Sequence, residues 1–358
     1  MSPANQNPLA ADLEHVLIHT QGLWEPLRGK HIFVTGGTGF FGRWLLESFA
    51  HANQALSLGA RMVVLSRDPE SFADKARELC GYPAIKFVRG DVLTLRASEV
   101  WRELGSEAPE HFDFMIHAAT ASSGSIYLEN PSLITNTIVE GTRAALEFAV
   151  EAGAGRFLFT SSGAVYGRQP SNITHIPESY LDEGEAAARS TYGEAKWKAE
   201  QLCAIYHKQH GMEPMIARGF AFVGPFLPLD VHFAIGNFIR DAVNGRAIQI
   251  NGDGTPYRSY LYSADLVIWL WTMLLRGEAG RAYNVGSEEA HTIHPLAKLV
   301  AEVCHAPGVQ VKEKPEPTRP PERYVPSCQR AREELGLEQR LGLTDAIRRT
   351  AEFCAHAK

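Results

Sequence analysis

The segment Gly36-Gly37-Thr38-Gly39-Phe40-Phe41-Gly42 lies between an apolar run, His31–Thr35, and a helical stretch near residues 41–50. Glycines in a strand-to-helix turn let the backbone approach a phosphate group closely and direct N–H groups at it. The glycine spacing satisfies both GxGxxG and GxxGxxG, and the spacing alone is a weak signal. The predicted strand before the segment and the predicted helix after it therefore support the interpretation. The segment therefore predicts the phosphate-binding turn of a dinucleotide-binding βαβ unit.

Apolar runs and helical stretches continue to alternate after this turn. Strands are predicted at 31–35, 62–65, 85–88, 114–117 and 156–160, and helices near 41–50, 69–79, 138–152 and 195–207. Strands that alternate with helices of ten to fifteen residues build a parallel sheet covered on both faces. The predicted fold class is α/β, a Rossmann-type doubly wound parallel sheet with a smaller mixed α/β substrate-binding domain.

The rhythm weakens after Gly219, where prolines and glycines interrupt the pattern. We expect an N-terminal extension at 1–28, a dinucleotide-binding domain at 29–218 and a substrate-binding domain mainly at 219–358, interleaved with the first.

Composition excludes several classes of protein. The formal net charge of −6 and the lack of a basic run argue against nucleic-acid binding. The longest apolar run, 266–275, is too short to span a membrane and predicts a buried helix. The five cysteines are scattered without a CxxC pair, which argues against disulfides and a metal site and favours a cytoplasmic location.

The end of the second predicted strand bears on the choice of cofactor. An acidic residue there would bind the ribose 2′-hydroxyl of NAD, whereas an arginine suits the 2′-phosphate of NADP. The chain has Ser66-Arg67-Asp68 at this point. A hydroxyl and a guanidinium favour NADP, because arginine pairs well with phosphate oxygens. Asp68 is an acidic residue at the same point, so NAD is an alternative cofactor. A solvent-exposed turn that binds no cofactor is a further alternative for these residues.

Tyr192 and Lys196 are four residues apart at the start of a predicted helix and therefore share one face of it. A neighbouring ammonium favours the phenolate of a tyrosine, so this pair can move a proton to or from a hydroxyl during hydride transfer. Such a pair alone is commonly just a solvated helix face. The glycine turn upstream and the hydroxyl of Ser162 make the catalytic interpretation dominant.

Together these motifs resemble the extended short-chain dehydrogenase/reductase family, within its nucleotide-sugar epimerase/dehydratase group. The resemblance covers about residues 30–345 and rests on a set of motifs: Gly36-x-x-Gly39-x-x-Gly42, Gly90-Asp91-Val92, His117-Ala118-Ala119, Ser161-Ser162 and Tyr192-x-x-x-Lys196.

The resemblance implies roles for individual residues. Tyr192 would be the catalytic acid/base, Lys196 would hold the nicotinamide ribose, and Ser162 would bind the reacting sugar oxygen. The implied cofactor-binding residues are Gly36, Gly39, Phe40, Phe41, Gly42, Ser66, Arg67, Asp91, Val92, Ala118 and Ala119. The implied contacts to a nucleoside-diphosphate sugar are Ser122, Asn237, Arg258 and Arg319. Ala221 stands where the family usually has an asparagine that touches the substrate, which predicts altered sugar recognition.

The residues after Ser162 indicate which reaction is possible. In the family's 4,6-dehydratases an Asp and a Glu follow the hydroxyl residue and eliminate water, and its decarboxylases generally carry a Glu at the second position. This chain has Gly163 and Ala164, which cannot transfer a proton. We therefore expect an epimerase that transiently oxidises sugar C4, with an NADPH-dependent 4-ketosugar reductase as the alternative. A dehydratase, a decarboxylase and a non-catalytic dinucleotide-binding module are less favoured.

The resemblance also implies assembly. Relatives pair through two helices per subunit, which here are the helices near 138–152 and 195–207. It therefore predicts a homodimer with a four-helix interface.

Overall fold

The computed structural model describes residues 7–120, 131–181, 189–231, 233–316, 318 and 320–356. The strands are β1 (His31–Thr35), β2 (Arg61–Ser66), β3 (Ile85–Arg89), β4 (Phe114–His117), β5 (Arg156–Ser162), β6 (Glu213–Gly219), β7 (Phe222–Val223), β8 (Ile248–Ile250), β9 (Tyr257–Arg258), β10 (Leu261–Tyr262), β11 (Ala282–Val285), β12 (His291–Thr292), β13 (Val309–Val311) and β14 (Arg323–Tyr324). The α-helices are α1 (Ala10–His19), α2 (Phe40–Ala55), α3 (Pro69–Ala73), α4 (Arg77–Cys80), α5 (Ala97–Leu104), α6 (Pro131–Glu151), α7 (Thr191–His210), α8 (Ala234–Val243), α9 (Ser263–Arg276), α10 (Ile293–Val303), α11 (Gln329–Leu335) and α12 (Leu343–His356). Short 3₁₀ helices lie at Glu25–Leu27, Val92–Thr94, Gly105–Glu107, Gly163–Tyr166 and Glu178–Leu181.

The main sheet has seven strands in the order β11-β6-β5-β4-β1-β2-β3. The pairs of β1 with β2, β1 with β4, β2 with β3 and β4 with β5 are parallel. Apolar side chains of β1, such as Phe33 and Val34, are fully buried, because helices cover both faces. The prediction of a Rossmann-type parallel sheet is confirmed. The order reverses between β1 and β4, so the loops that follow these strands diverge and leave a crevice at the carboxyl ends.

The predicted helix at 69–79 is wrong as a single element, because the structure has α3 and α4 there. Ala76 has φ −149° and ψ 46°, which lies outside the helical range and interrupts the i to i−4 hydrogen bonds. The predicted helices near 41–50, 138–152 and 195–207 are present as α2, α6 and α7, and the predicted buried helix at 266–275 is α9.

The N-terminal residues contribute to the core. Leu13 and Val16 of α1 are buried, and the Trp24 ring packs on the Trp271 ring with centroids 5.0 Å apart. The Trp24 indole N–H donates to the Thr20 hydroxyl over 2.7 Å, which satisfies its one polar group.

The chain divides into two compact units, each assembled from separated stretches. The first unit comprises Met1–Ser161, Thr191–Ala217 and Val267–Ala282, and the second comprises Ser162–Ser190, Arg218–Leu266 and Tyr283–Lys358. The described residues of the second unit form three small sheets: β7 with β10, β9 with β12 and β14, and β8 with β13. Across the described part of the chain, no helix has both the length and the apolar character needed to cross a membrane.

Candidate functional site

The turn between β1 and α2 is held by glycines that leave no room for a side chain. A Cβ at Gly36, where φ is +75°, would lie 2.4 Å from the Ala118 carbonyl carbon and the Ala119 nitrogen. A Cβ at Gly42 would lie 2.2 Å from the Gly36 carbonyl oxygen. These glycines permit close packing of the turn, the first turn of α2 and the end of β4. The structure therefore brings together Gly36, Gly42, Ala118 and Ala119 in the first unit.

Gly39 differs from the other glycines of this turn. It is the N-cap of α2, and a Cβ there would meet only the Gly36 carbonyl oxygen, at 3.4 Å. The protein itself therefore has room for a Cβ at Gly39. A glycine at the N-cap leaves the start of the helix open to an anion, and the N–H groups of Phe40 and Phe41 follow directly. This arrangement fits the pyrophosphate of a dinucleotide.

The end of β2 presents Arg67 at the surface. Ser66 is buried, and its hydroxyl accepts a hydrogen bond from the Asp68 N–H over 3.2 Å. The Asp68 carboxylate accepts from the Ser71 N–H over 3.1 Å and so caps α3. Asp68 is thus engaged in a structural role, whereas Arg67 is exposed at the strand tip.

The predicted adenine-side residues lie at the end of β3. The Asp91 carboxylate accepts from the Leu93 N–H over 2.9 Å, which orders the loop. Val92 is buried, and α6 approaches it closely: a Cβ on Gly141 would lie 3.1 Å from a Val92 methyl. The Asp91 side chain therefore shapes the loop, and Val92 offers an apolar surface beside it.

Tyr192 and Lys196 both lie on α7, as the spacing predicts. The Lys196 ammonium is buried and donates to the Thr160 carbonyl oxygen at the end of β5 over 2.8 Å. It lies 4.9 Å from the centre of the Phe159 ring and 5.9 Å from the centre of the Tyr192 ring. Burial lowers the pKa of Lys196 to about 7. Tyr192 is half-buried. The Lys196 ammonium is therefore held in place beside the phenol of Tyr192, which remains partly accessible to solvent.

A buried histidine lies beside this pair. The His117 ring contacts the Thr35 hydroxyl through Nδ1 at 2.7 Å and the Thr142 hydroxyl through Nε2 at 3.2 Å. Burial and the Lys196 ammonium lower the pKa of His117 to about 3. His117 is therefore a neutral ring that ties the ends of β1 and β4 to α6.

Ser162 ends β5 and belongs to the second unit. Its hydroxyl accepts from the Ala164 N–H over 3.2 Å and lies 3.5 Å from the Tyr324 hydroxyl. A Cβ on Gly163 would lie 2.7 Å from the Phe220 ring, which itself packs on the Tyr324 ring at 4.7 Å between centroids. Aromatic carbon thus occupies the space beside Gly163 where an acidic side chain would extend.

Arg258 lies in the three-stranded sheet of the second unit. In the register of that sheet it is paired with Tyr324 on β14 and His291 on β12. Its guanidinium lies 3.8 Å from the Glu322 carboxylate and donates to the Tyr257 carbonyl oxygen over 2.8 Å. The 3.8 Å separation is loose for an ion pair, so Arg258 can exchange this partner for a phosphate.

The second unit contains a cavity of about 1140 Å³ beside α8. Its polar lining residues include Asn237, Arg246, Asn251, Asp253 and Lys312. The Asn237 side-chain oxygen accepts a hydrogen bond from the Arg240 guanidinium over 2.9 Å. The lining also contains the Asp241 carboxylate, which pairs with Arg246 at 3.0 Å, so Lys312 and the two amides are the groups that can bind the phosphates or base of a nucleotide. Arg258 is not among the lining residues.

Two predicted substrate contacts, Ser122 and Arg319, lie outside the described residues. The sequence interpretation missed Phe220, Tyr324 and Glu200. Tyr324 is 162 positions from Ser162, so no local pattern signals their contact. Glu200 had a usable signal, since it follows Lys196 by four residues and so lies on the same face of α7.

Comparisons with known proteins give a consistent family. The model of the NAD dependent epimerase/dehydratase family matches residues 32–286. UDP-glucuronic acid decarboxylase 5 of Arabidopsis thaliana is 31% identical over 317 residues, 88% of this chain and 86% of that protein. An epimerase structure from Methanothermobacter thermautotrophicus has a TM-score of 0.76 at 25% identity and covers 98% of this chain and 97% of its own. A UDP-glucose 4-epimerase of Thermus thermophilus, solved with NAD, has a TM-score of 0.73 at 25% identity and covers 90% of this chain and 98% of its own.

Proposed function

This chain belongs to the NAD dependent epimerase/dehydratase family, and we therefore propose that it is a UDP-sugar epimerase acting by transient oxidation and reduction at sugar C4. The Tyr192–Lys196 pair is the observation that carries this proposal. The buried ammonium is fixed on the Thr160 carbonyl oxygen, in the same unit as the glycine turn. UDP is chosen because the curated relative and the Thermus structure are named for UDP-sugars.

The mechanism uses three side chains of this protein. Tyr192 takes the proton from the C4 hydroxyl and later returns it, and Lys196 stabilises the phenolate. Ser162 donates a hydrogen bond to the C4 oxygen as it becomes a carbonyl. A bound nicotinamide dinucleotide supplies the hydride acceptor and then the hydride donor. Rotation of the ketosugar between the two transfers exposes its other face and inverts C4.

The residues at the binding sites support further assignments. The glycine turn would hold the pyrophosphate of the cofactor. We propose a preference for NADP, since Arg67 is exposed at the strand tip while Asp68 caps α3. The Thermus relative was solved with NAD, so NAD is the competing cofactor in any assay. Asn237 and Arg258 would hold the UDP moiety.

Two other reactions have specific support. Exposure of Arg67 favours a 4-ketosugar reductase, because such an enzyme exchanges NADPH at every turnover. Identity of 31% to a UDP-glucuronic acid decarboxylase favours loss of carbon dioxide, since oxidation at C4 turns a uronic acid into a β-keto acid. Gly163 and Ala164 lack the carboxyl groups that would assist dehydration or decarboxylation. This difference is why epimerisation is the main proposal.

The decisive experiment incubates the protein with UDP-hexoses and UDP-glucuronic acid, each with NAD or NADP, and with a UDP-4-ketohexose plus NADPH, and identifies the products by NMR. An epimerase gives the C4 epimer without net consumption of cofactor. A decarboxylase gives a pentose product and carbon dioxide, and a reductase consumes one NADPH per ketosugar.

The variant Tyr192→Phe tests the mechanism in the same assay. We expect its kcat to fall by about 10²- to 10⁴-fold, the usual contribution of a general acid/base. Tyr206→Phe, on the same helix, is the matched control and should keep normal turnover. Normal turnover of every accepted sugar by Tyr192→Phe would contradict the mechanism.

Helices α6 and α7 are the elements through which we propose that two copies of the chain assemble. Helices α6 and α7 pack against each other. Their outer faces expose Val150 and Ile205. We propose that these faces meet those of a second copy to form a homodimer.

A further inference from the structure

Glu200 is a buried carboxylic acid for which the proposed mechanism has no role. Its side chain is 3% exposed, and it lies on α7 one turn after Lys196. The Ser161 hydroxyl donates a hydrogen bond of 2.5 Å to a Glu200 carboxylate oxygen. Burial of a carboxyl group is costly unless charges or hydrogen bonds compensate it, so such a group calls for a physical explanation.

The two hydrogen bonds from β5 to α7 form one attachment. Lys196 binds the carbonyl oxygen of Thr160, and Glu200 binds the hydroxyl of Ser161, the next residue of the strand. Two consecutive strand residues are thus bound to two consecutive turns of the helix. This pairing fixes the register of α7, and therefore the height of Tyr192, relative to the end of β5.

Glu200 also has an electrostatic effect on the Lys196 ammonium. Within the described part of the chain, the groups that act electrostatically on the ammonium or pack beside it are His117, Glu200, Cys203 and the rings of Phe159 and Tyr192. His117 is neutral because its pKa is about 3, and burial raises the pKa of the Cys203 thiol, so this group is also neutral. The Glu200 carboxylate therefore opposes the desolvation that lowers the pKa of Lys196.

We propose that Glu200 is a positioning residue that keeps Lys196 protonated and in register with β5, so that Lys196 can stabilise the Tyr192 phenolate. This proposal rests on the roles of Tyr192 and Lys196 in the proposed function. Glu200 itself need not touch substrate or cofactor.

Glu200→Gln tests the charge while retaining an acceptor for the Ser161 hydroxyl. Without the carboxylate, the protonated form of Lys196 loses its stabilising partner, so its pKa falls. The alkaline limb of the kcat/KM profile should then move to lower pH by about 1–3 units, the effect of one nearby opposite charge. Glu200→Asp keeps the charge at a greater distance and should restore most of the profile. Glu194→Gln, on the exposed side of the same helix, should leave the profile unchanged.

A second measurement separates this proposal from the choice of reaction. NMR of ¹³C-labelled lysine side chains follows the Lys196 titration without turnover, and the missing signal in Lys196→Arg assigns the resonance. The Lys196 pKa should be lower in Glu200→Gln than in the parent protein, and circular dichroism checks that the variant is folded. If Glu200→Gln does not fold, Glu200→Asp should show a smaller decrease of the same sign. An unchanged Lys196 pKa in folded Glu200→Gln would overturn the proposed role of Glu200. A lowered Lys196 pKa, together with no turnover of any UDP-sugar by the parent protein, would refute only the proposed function.

Discussion

Gly163 shows at the scale of one residue how packing limits the chemistry beside Ser162. The Phe220 ring fills the space next to it and packs on Tyr324 at 4.7 Å and Tyr166 at 6.1 Å between centroids. A side chain at position 163 would therefore have to displace a ring held on two sides. The lack of an acid at this position is built into the packing of the second unit, so a single substitution would not simply restore one.

Gly163→Ala should destabilise the protein by about 1–3 kcal/mol, because its Cβ would overlap the Phe220 ring. Gly155→Ala is the matched control, since nothing lies within 4 Å of a Cβ at that exposed position. Its effect should be about neutral or slightly stabilising. Urea denaturation followed by circular dichroism measures both. Equal free energies of unfolding for the two variants would show that Phe220 moves aside freely.

Individual site residues differ in how far the sequence predicts them. Tyr192 and Lys196 were predicted as neighbours because a helix fixes the relation between residues four apart. The contact of Ser162 with Tyr324 depends on tertiary packing between segments distant in the chain. The role of Asp68 as a helix cap depended on where α3 begins, which one sequence predicts poorly.

At the scale of elements, strands were predicted well because their buried faces require continuous apolar runs. Strands β1 and β4 have the predicted bounds, and β5 extends two residues further, to Ser162. The break between α3 and α4 was missed, since Ala76, which has the non-helical backbone there, is a residue that favours helices.

The outer faces of α6 and α7 form the interface of the proposed homodimer. Ile205 is 44% exposed on α7, and burial against a second copy would remove it from water. Ile205→Glu would place a charge in that interface, so we expect a shift from dimer to monomer in sedimentation velocity. Ile18→Glu, on α1, replaces an isoleucine that is 50% exposed and should leave the dimer intact. A parent protein that sediments as a monomer at micromolar concentration would contradict the proposed assembly.

At the scale of the whole molecule, the chain distributes the proposed binding residues over two units. The glycine turn, Tyr192 and Lys196 lie in the first unit, whereas Asn237, Arg258 and the cavity beside α8 lie in the second. The loss of strand–helix alternation after Gly219 predicted a second, substrate-binding domain there. Nothing in the local sequence predicts that residues 267–282 belong to the first unit. Most of these residues lie in α9, an apolar helix that could be buried in a unit of either kind.

This division predicts that cofactor and nucleotide stabilise the protein through separate residues. Each ligand alone, at about a hundredfold its Kd, should stabilise the fold by ~2.7 kcal/mol and raise Tm by several degrees. Gly39→Ala should weaken only the effect of the dinucleotide, because the turn has room for a Cβ at this position, whereas a pyrophosphate bound against the turn would collide with it. Arg258→Ala should weaken only the effect of UDP, through loss of a charged partner for the diphosphate. Differential scanning fluorimetry with NADP, NAD and UDP, each added alone to both variants, measures these shifts, and a variant that loses both effects would refute the separate assignment.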